Sequence, residues 1–595
     1  MNTHPRFLCL FAAACLITSS LTLAGDNWSE QEWVKESNAN TMIVMEAQAK
    51  FSPESFASLG IEKYDKNIFD LEAGVYERSQ ANTQQLIALM QERLKTTEDP
   101  KVLQDLHILI KSLQDQYMTA ELEHRYMLPY YNPSQNLFFG FRSLLDPRVD
   151  PARYPAALER LRKYTGKVEG YTPITELAMA RTQEGFAVPG LTGPYKGELE
   201  KDLDNVQRYS EGLEKLFVDS GLEGWEQDLA ILQGQLNAYA AWLKKEMTPR
   251  SRTDHRLPEA IYADNLKNFG VDMDPQNLIR AAQLGFGEIR NEMRTIAGLI
   301  AKERGLPSSD YRDVIRELKK DQIPEDTLMP FYRERLREIE KIITDNYIIS
   351  LPERDAVIRM ATEAESSAIP APFLNPPQLI GNTGQPAEFV LVTTNPTAKE
   401  GKAKMDDWGH DGMTWSLTVH EARPGHELQF ASMIESGVSQ ARGIYAFNSA
   451  NVEGWALYAE AVMKEYLPLE GQLFTLQARM MRAARAFLDP MLNLGLIEPE
   501  QALSFIMNDV VISEPMARSE IDRYTFRAPG QATAYYYGYM NMMSLRTEVE
   551  LILRNRFDQL RFHDFVLAQG LLPPEILRQA VLDEFVPGEA MTTAP

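Results

Sequence analysis

His420, Glu421 and His426 stand in the segment Trp415 to Glu435, which reads WSLTVHEARPGHELQFASMIE. Two imidazoles with a carboxylate directly after the first form the donor set of a hydrolytic zinc site. The imidazoles bind the ion, and the carboxylate acts as general base on a zinc-activated water. Such sites ordinarily place the histidines one helical turn apart. Here the two histidines are six residues apart, so a straight helix would set them about 120° apart around its axis instead of about 40°. They could not then share an ion. Pro424 and Gly425 lie between them; proline breaks the hydrogen-bond ladder and glycine tolerates an unusual backbone. The spacing therefore predicts that the helix departs from regular geometry between Arg423 and His426.

Catalytic zinc commonly takes three protein ligands and leaves a fourth position open. Glu453 supplies the third ligand, from the predicted helix NVEGWALYAE that begins at Asn451, 27 residues after His426. Gly454 permits close approach to a neighbouring helix. Glu460, seven residues after Glu453, falls on nearly the same helical face and can orient a ligand histidine. The competing reading makes Glu453 and Glu460 solvated helix charges. His410 reads as a loop histidine.

The motifs HEARPGHELQ, VEGWALYAE, EIDRY, PGQATAYYYG and FHDFVLAQGLLP follow one another from His420 onward. With them the chain resembles the bacterial family catalogued as domain of unknown function 885, a zinc-metallopeptidase-like group with an H-E-x-x-P-G-H signature. The resemblance implies metal ligands His420, His426 and Glu453 with Glu421 as general base, and it sets no substrate. It also puts Tyr535 at the family's tyrosine position. Pro529 would open a helix on which Gln531, Tyr535, Tyr539, Met542 and Arg546 form one stripe. A phenol near zinc would donate to the oxyanion of the attacked carbonyl, and Arg523 or Arg546 would hold a substrate carboxylate. The alternative is an aromatic stripe packed into the core. His563 either faces the cleft or caps packing.

The elements that must position these groups are helices. From Gly25 to about Tyr347, apolar residues recur at helical steps, as in Leu103, Leu106, Ile110 and Leu113, with Gln104, Asp105, Lys111 and Ser112 between them. Similar patterns cover Thr83 to Leu94, Ala156 to Lys163, Leu199 to Phe217, Leu278 to Ala301 and Leu328 to Asn346. Prolines and glycines between Ile369 and Gln385 predict a loop, and Phe389 to Thr394 is the strand candidate. The expected fold is mostly α: a two-lobed helical body with a central cleft and a small β element before the active-site helix. The lobes are read as residues 25–350 and 351–595.

Residues 1–24 read as a secretory signal peptide, with Arg6, an apolar stretch and Thr22-Leu23-Ala24 as cleavage site. The two cysteines, Cys9 and Cys15, both lie within it, so stability must come from packing rather than from disulfides. A lipoprotein cut at Cys15 is the lesser alternative to a secreted, periplasmic protein. The formal charge of -23 disfavours nucleic acid and anionic membranes as partners, and no insertion in the membrane is expected after signal cleavage. The sequence thus predicts a Zn2+-dependent hydrolase of peptide bonds in short peptides. The alternatives are an amidase or esterase on a non-peptide substrate, or a non-catalytic peptide- or metal-binding protein.

Overall fold

A computed structural model describes residues 31–382, 384–394 and 405–591. The expected leader lies outside the described residues. The helical stretches expected from periodicity all appear, within helices that begin up to eight residues earlier and, in the last case, end one residue sooner. They fall in helices Val75–Leu94, Pro155–Tyr164, Lys196–Ser220, Pro275–Arg304 and Glu325–Asp345.

Helix α1, Pro100–Tyr126, shows how the sequence sets such an element. Proline occupies its first position, and the Asp99 carboxylate accepts the backbone N–H groups of Lys101 and Val102 at 2.8 and 3.3 Å. Leu106, Ile110 and Leu113 are buried as the stripe requires. Asp105, expected between stripe residues on the polar side, is instead fully buried. Its carboxylate accepts from Ser37 and Ser439, both at 2.6 Å, and from Arg442 Nε at 2.9 Å. A buried charge is tolerable when paired and hydrogen-bonded in this way.

Three strands follow α2 (Pro275–Arg304) and α3 (Glu325–Asp345): β1 (Val357–Met360), β2 (Phe373–Asn375) and β3 (Glu388–Leu391). Their order is β1-β3-β2, with β3 parallel to β1 and antiparallel to β2. The expected strand is thus the central one, but it starts at Glu388 and ends at Leu391. The stretch read as loop from Ile369 to Gln385 contains β2. Strands of three or four residues leave too little periodicity to read, and pairing with a distant partner decides them.

The remaining helices used below are α4 (Asp411–Glu421), α5 (His426–Ser436), α6 (Ser449–Met463), α7 (Leu469–Asn493), α8 (Glu514–Asp522), α9 (Thr533–Leu553) and α10 (Gln559–Ala568). The fold is mostly α with one small sheet. Helix α7 is buried along most of its length and packs against α2, α4 and α9. One apolar cluster joins residues of α2, α3, β3, α4, α7 and α9, and so draws on both sides of position 350. A separate cluster is built mainly from residues between Leu71 and Met247.

Helix α9 begins at Thr533, not at Pro529 as expected. Gly530 takes a left-handed φ of 95° and donates its N–H to the buried Asp489 carboxylate at 2.9 Å, so the chain turns there and Gln531 stays outside the helix. Helices α6 and α9 cross in backbone contact. A Cβ at Gly538 would lie 1.9 Å from the Ala450 carbonyl oxygen, and one at Gly454 would lie 2.6 Å from Gly538 Cα. This crossing sets the helix of Glu453 against the helix of Tyr535.

Gly454→Ala and Gly538→Ala should each lower stability by about 1–3 kcal/mol, the range for overpacking. Gly234→Ala, inside helix Glu226–Glu246 with nothing within 4 Å of the added Cβ, should be neutral or stabilising by up to about 1 kcal/mol. Thermal unfolding of the three variants checks this, and equal melting temperatures would show that the crossing re-spaces freely.

Candidate metal centre

Helix α4 starts on His410, whose Nδ1 accepts the Met413 backbone N–H at 3.4 Å. Burial pushes the pKa of this imidazole down to about 3. The residue expected in a loop is a neutral helix cap. Arg335 of α3 lies 3.7 Å over the Trp415 ring and its Nε donates to Thr414 Oγ1 at 3.2 Å, which fixes α4 against α3.

Helix α4 ends at Glu421. Ala422 adopts φ −104°, ψ −102°, Gly425 adopts φ −76°, ψ −134°, and α5 starts at His426. The break opens one residue earlier than the Arg423 to His426 stretch predicted. A Cβ on Gly425 would lie 1.9 Å from the His420 carbonyl oxygen and 2.3 Å from that of Val419. The chain folds back on the last turn of α4 only because this residue has no side chain.

Two side chains hold the break. Buried Arg423 donates to Glu427 at 2.7 Å, to Glu340 of α3 at 2.6 Å and to the Arg354 carbonyl at 2.5 Å. Trp455 of α6 donates its indole N–H to the Pro424 carbonyl at 2.9 Å. Glu453, on the same helix as Trp455, is thereby brought to the histidines.

The His420 and His426 rings stand 4.8 Å apart at 78°. Their Nε2 atoms lie 3.6 and 3.2 Å from Glu453 Oε2, and one ligand atom from each of the three residues can be chosen within 4.8 Å of the others. Tetrahedral zinc with bonds near 2.0–2.1 Å sets its ligand atoms about 3.4 Å apart. Glu453 Oε2 is buried and makes no hydrogen bond among the described residues. An anionic oxygen placed between two imidazole nitrogens and left without a donor is satisfied by a cation. The three residues fit a metal ion and can hold one.

The surroundings prepare that role. A carboxylate only accepts, so His420 Nδ1 donates to Glu460 Oε1 at 2.7 Å, leaving the Nε2 lone pair turned towards the group; Ser416 donates to Glu460 Oε2 at 2.7 Å. Glu460, expected on the face of Glu453, thus meets His420 through this hydrogen bond. Glu421 is buried, with Oε2 unpaired. Burial raises its pKa to about 7, His426 opposes the rise and Glu453 adds to it.

Tyr535 joins the same group. Its ring lies 6.4 Å from that of His420 and nearly parallel at 8°. Arg523 donates to its hydroxyl at 3.3 Å, and the Arg485 guanidinium covers its ring at 4.4 Å. Burial, reinforced by the Glu453 charge, raises the phenol's pKa above its ordinary value, so it stays protonated at neutral pH.

Arg546 and His563, expected as substrate-binding or ligand-orienting candidates, are not among these contacts. Tyr458 donates to His563 Nε2 at 2.7 Å, His563 Nδ1 donates to the Ile348 carbonyl at 2.7 Å, and Arg546 donates to Tyr458, Glu550 and Gln559. Arg546 shares the stripe of Tyr535 but lies about 16 Å further along the helix axis. A helical stripe specifies a face and says nothing of height. Burial lowers the His563 pKa to about 3, so its imidazole is neutral packing.

Three contributors escaped the sequence reading: Ser416, Arg482 and Arg485. The arginines did leave a signal, since Arg479, Arg482 and Arg485 recur at three-residue steps in the apolar run ARMMRAARAF. A cavity of about 1300 Å³ is lined by Asn451, Tyr537 and Gly538 but by none of the three metal-ligand candidates. Asn451 and Tyr537 lie two residues from Glu453 and Tyr535, about 200° around their helices, so this cavity opens on the faces of α6 and α9 turned away from the metal group.

No curated protein matches the sequence. Among solved structures, a candidate lipoprotein from Colwellia psychrerythraea aligns with a TM-score of 0.74 and 18% identity over 93% of this chain and 99% of that chain. A candidate lipoprotein of unknown function from Shewanella oneidensis aligns with a TM-score of 0.70 and 20% identity over 93% of this chain and 100% of its own. These share the fold. A candidate oligoendopeptidase F from Bacillus anthracis covers 86% of this chain and 96% of its own at 10% identity, but its TM-score of 0.24 supports no inference. No helix of the described residues is long and apolar enough to cross a membrane. The profile of one family matches residues 53–581, and the chain therefore belongs to the family described as bacterial proteins of unknown function, DUF885.

Proposed function

We propose that the protein is a zinc-dependent hydrolase that cleaves peptide bonds in short peptides. The observation that carries this reading is the buried, donor-less Glu453 Oε2 facing His420 Nε2 and His426 Nε2, with Glu421 next in sequence to the first histidine. Bound there, zinc would supply a Lewis acid for the scissile carbonyl and a lowered pKa for water.

The chain's own residues do the rest. Glu460 holds the His420 ring in the tautomer that presents Nε2. Glu421 takes a proton from the attacking water and passes it to the leaving nitrogen, so that the water oxygen joins the carbonyl carbon as the C–N bond breaks. Tyr535 donates its hydroxyl hydrogen to the oxyanion that develops on the carbonyl oxygen, and Arg523 fixes the position of that hydroxyl. Burial of His420, Glu421 and His426 favours a narrow, flexible chain over a folded protein. The leader pattern over residues 1–24, together with neighbours described as candidate lipoproteins, supports an exported protein, read here as periplasmic.

The purified protein should carry about one zinc per chain, and His420→Ala, His426→Ala and Glu453→Ala should each lose it in elemental analysis. Full occupancy in Glu453→Ala would remove that residue from the site. Glu421→Gln should keep the metal and lose turnover of a mixed peptide digest followed by mass spectrometry, because a base is not a ligand; undiminished cleavage by that variant would sink the mechanism. Tyr535→Phe should lower kcat by roughly 10- to 1,000-fold with little change in KM, as for a contact made only in the transition state. Wild-type kinetics would return Tyr535 to a packing role.

A further inference from the structure

Helix α7 carries three arginines at three-residue steps: Arg482 and Arg485 lie against Tyr535 beside the metal group, and Arg479 lies one turn away over Tyr539. Arg485 donates to both oxygens of Glu520 of α8, at 2.7 and 2.9 Å. Arg482 is nine-tenths buried and its Nε has no acceptor. One of its terminal nitrogens donates to the Ala478 carbonyl at 3.3 Å. The other lies 3.9 Å from Glu460 Oε1, beyond hydrogen-bonding distance, and both oxygens of Glu460 are already used by His420 and Ser416. Arg479 is buried to the same degree, its Nε and one terminal nitrogen have no acceptor, and it forms no ion pair among the described residues. Beyond these contacts the two guanidinium groups lie against ring faces, Arg479 over Tyr539 at 5.3 Å and Arg482 near Tyr535 at 5.9 Å.

Ring faces only partly offset the burial of a guanidinium whose donors are unpaired. A planar fork of N–H groups left open in this way matches the two oxygens of a carboxylate. Position narrows the ligand further. Arg482 is linked to the His420 ring through Glu460, by contacts of 3.9 and 2.7 Å, and it shares Tyr535 as a neighbour with that ring. Those two contacts keep the Arg482 guanidinium within about 7 Å of the His420 ring, room for roughly one or two residues of extended peptide at about 3.5 Å per residue.

We propose that Arg479 and Arg482 bind the free carboxylate at the C-terminal end of a peptide, so that the protein is a C-terminal exopeptidase releasing one or two residues at each cleavage. This rests on the reading that the adjoining group hydrolyses peptide bonds. Water adds across the scissile amide; the retained part gains the new carboxylate, and the released part leaves with the amine proton and with its original carboxylate still on the arginines.

The test separates binding from turnover. An equimolar pool of N-acetylated dipeptides and tripeptides, prepared once as free acids and once as C-terminal amides, is dialysed against the metal-free full-length protein, and the retained peptides are measured by mass spectrometry. The acids should be retained roughly 30- to 5,000-fold better than the amides, the discrimination expected when one partner of a buried charge pair is missing. Arg479→Met and Arg482→Met should abolish that preference while the melting temperature holds or rises, because each removes buried donors that have no acceptor among the described residues. A merely structural role would instead lower the melting temperature and leave retention of the acids unchanged relative to the amides. Equal retention of acids and amides by the wild type overturns the carboxylate site even if both variants fail to fold. The zinc-loaded protein is then given the same pools. Acids that bind but stay whole refute hydrolysis and leave the carboxylate site standing, whereas equal cleavage of acids and amides refutes the carboxylate site and leaves hydrolysis standing.

Discussion

Two imidazoles six residues apart can face one carboxylate oxygen only if the helix that carries them stops and starts again, and the whole site depends on that interruption. The break lies between Glu421 and His426 and is held from three sides. Gly425 lies against the carbonyls of Val419 and His420 where no Cβ fits. Arg423 ties the break to α3 and α5, and Trp455 ties it to α6. Because Trp455 and Glu453 belong to one helix, the hydrogen bond that pins the break also brings Glu453 to the two histidines. The geometry of the metal group and the shape of the break are one arrangement.

The next layer is electrostatic. His420, Glu421, His426 and Glu460 are buried, so each charge there needs a nearby answer. Glu460 finds it in Ser416 and His420, and Glu520 finds it in Arg485 and Tyr524. Glu421 Oε2, Glu453 Oε2 and nitrogens of Arg479 and Arg482 make no hydrogen bond among the described residues. Unpaired polar atoms in a packed interior detract from stability, and sites that bind charged ligands are where a fold retains them. The two glutamates gather beside the histidines, and the two arginines project from α7.

Packing supplies the rigidity that such a site requires. The backbone contact of α6 with α9 at Gly454 and Gly538 sets the distance between Glu453 and Tyr535. Helix α7, buried along most of its length, presents its arginines from a support that cannot swing. Ligand and transition-state contacts need positional precision of this kind, which loops rarely provide.

Much of this was written in local sequence. Apolar steps of three and four residues specified the helices, the His-Glu-x-x-Pro-Gly-His spacing required a broken helix, and the seven-residue interval from Glu453 to Glu460 put both on one face. Each of these is a statement about neighbours along the chain, where helical geometry alone decides. What depends on distant partners could not be read. Asp105 is polar by type yet buried, because Arg442 and two serines come to it from elsewhere in the chain. The strands β1 and β2 exist through pairing with β3. Arg546 shares a face with Tyr535 but sits three turns away, and only the placement of α6 and α10 shows that it serves Tyr458 instead. Which arginines go unanswered is likewise a property of the assembled interior, since a side chain's partners are counted only after folding has brought them within reach.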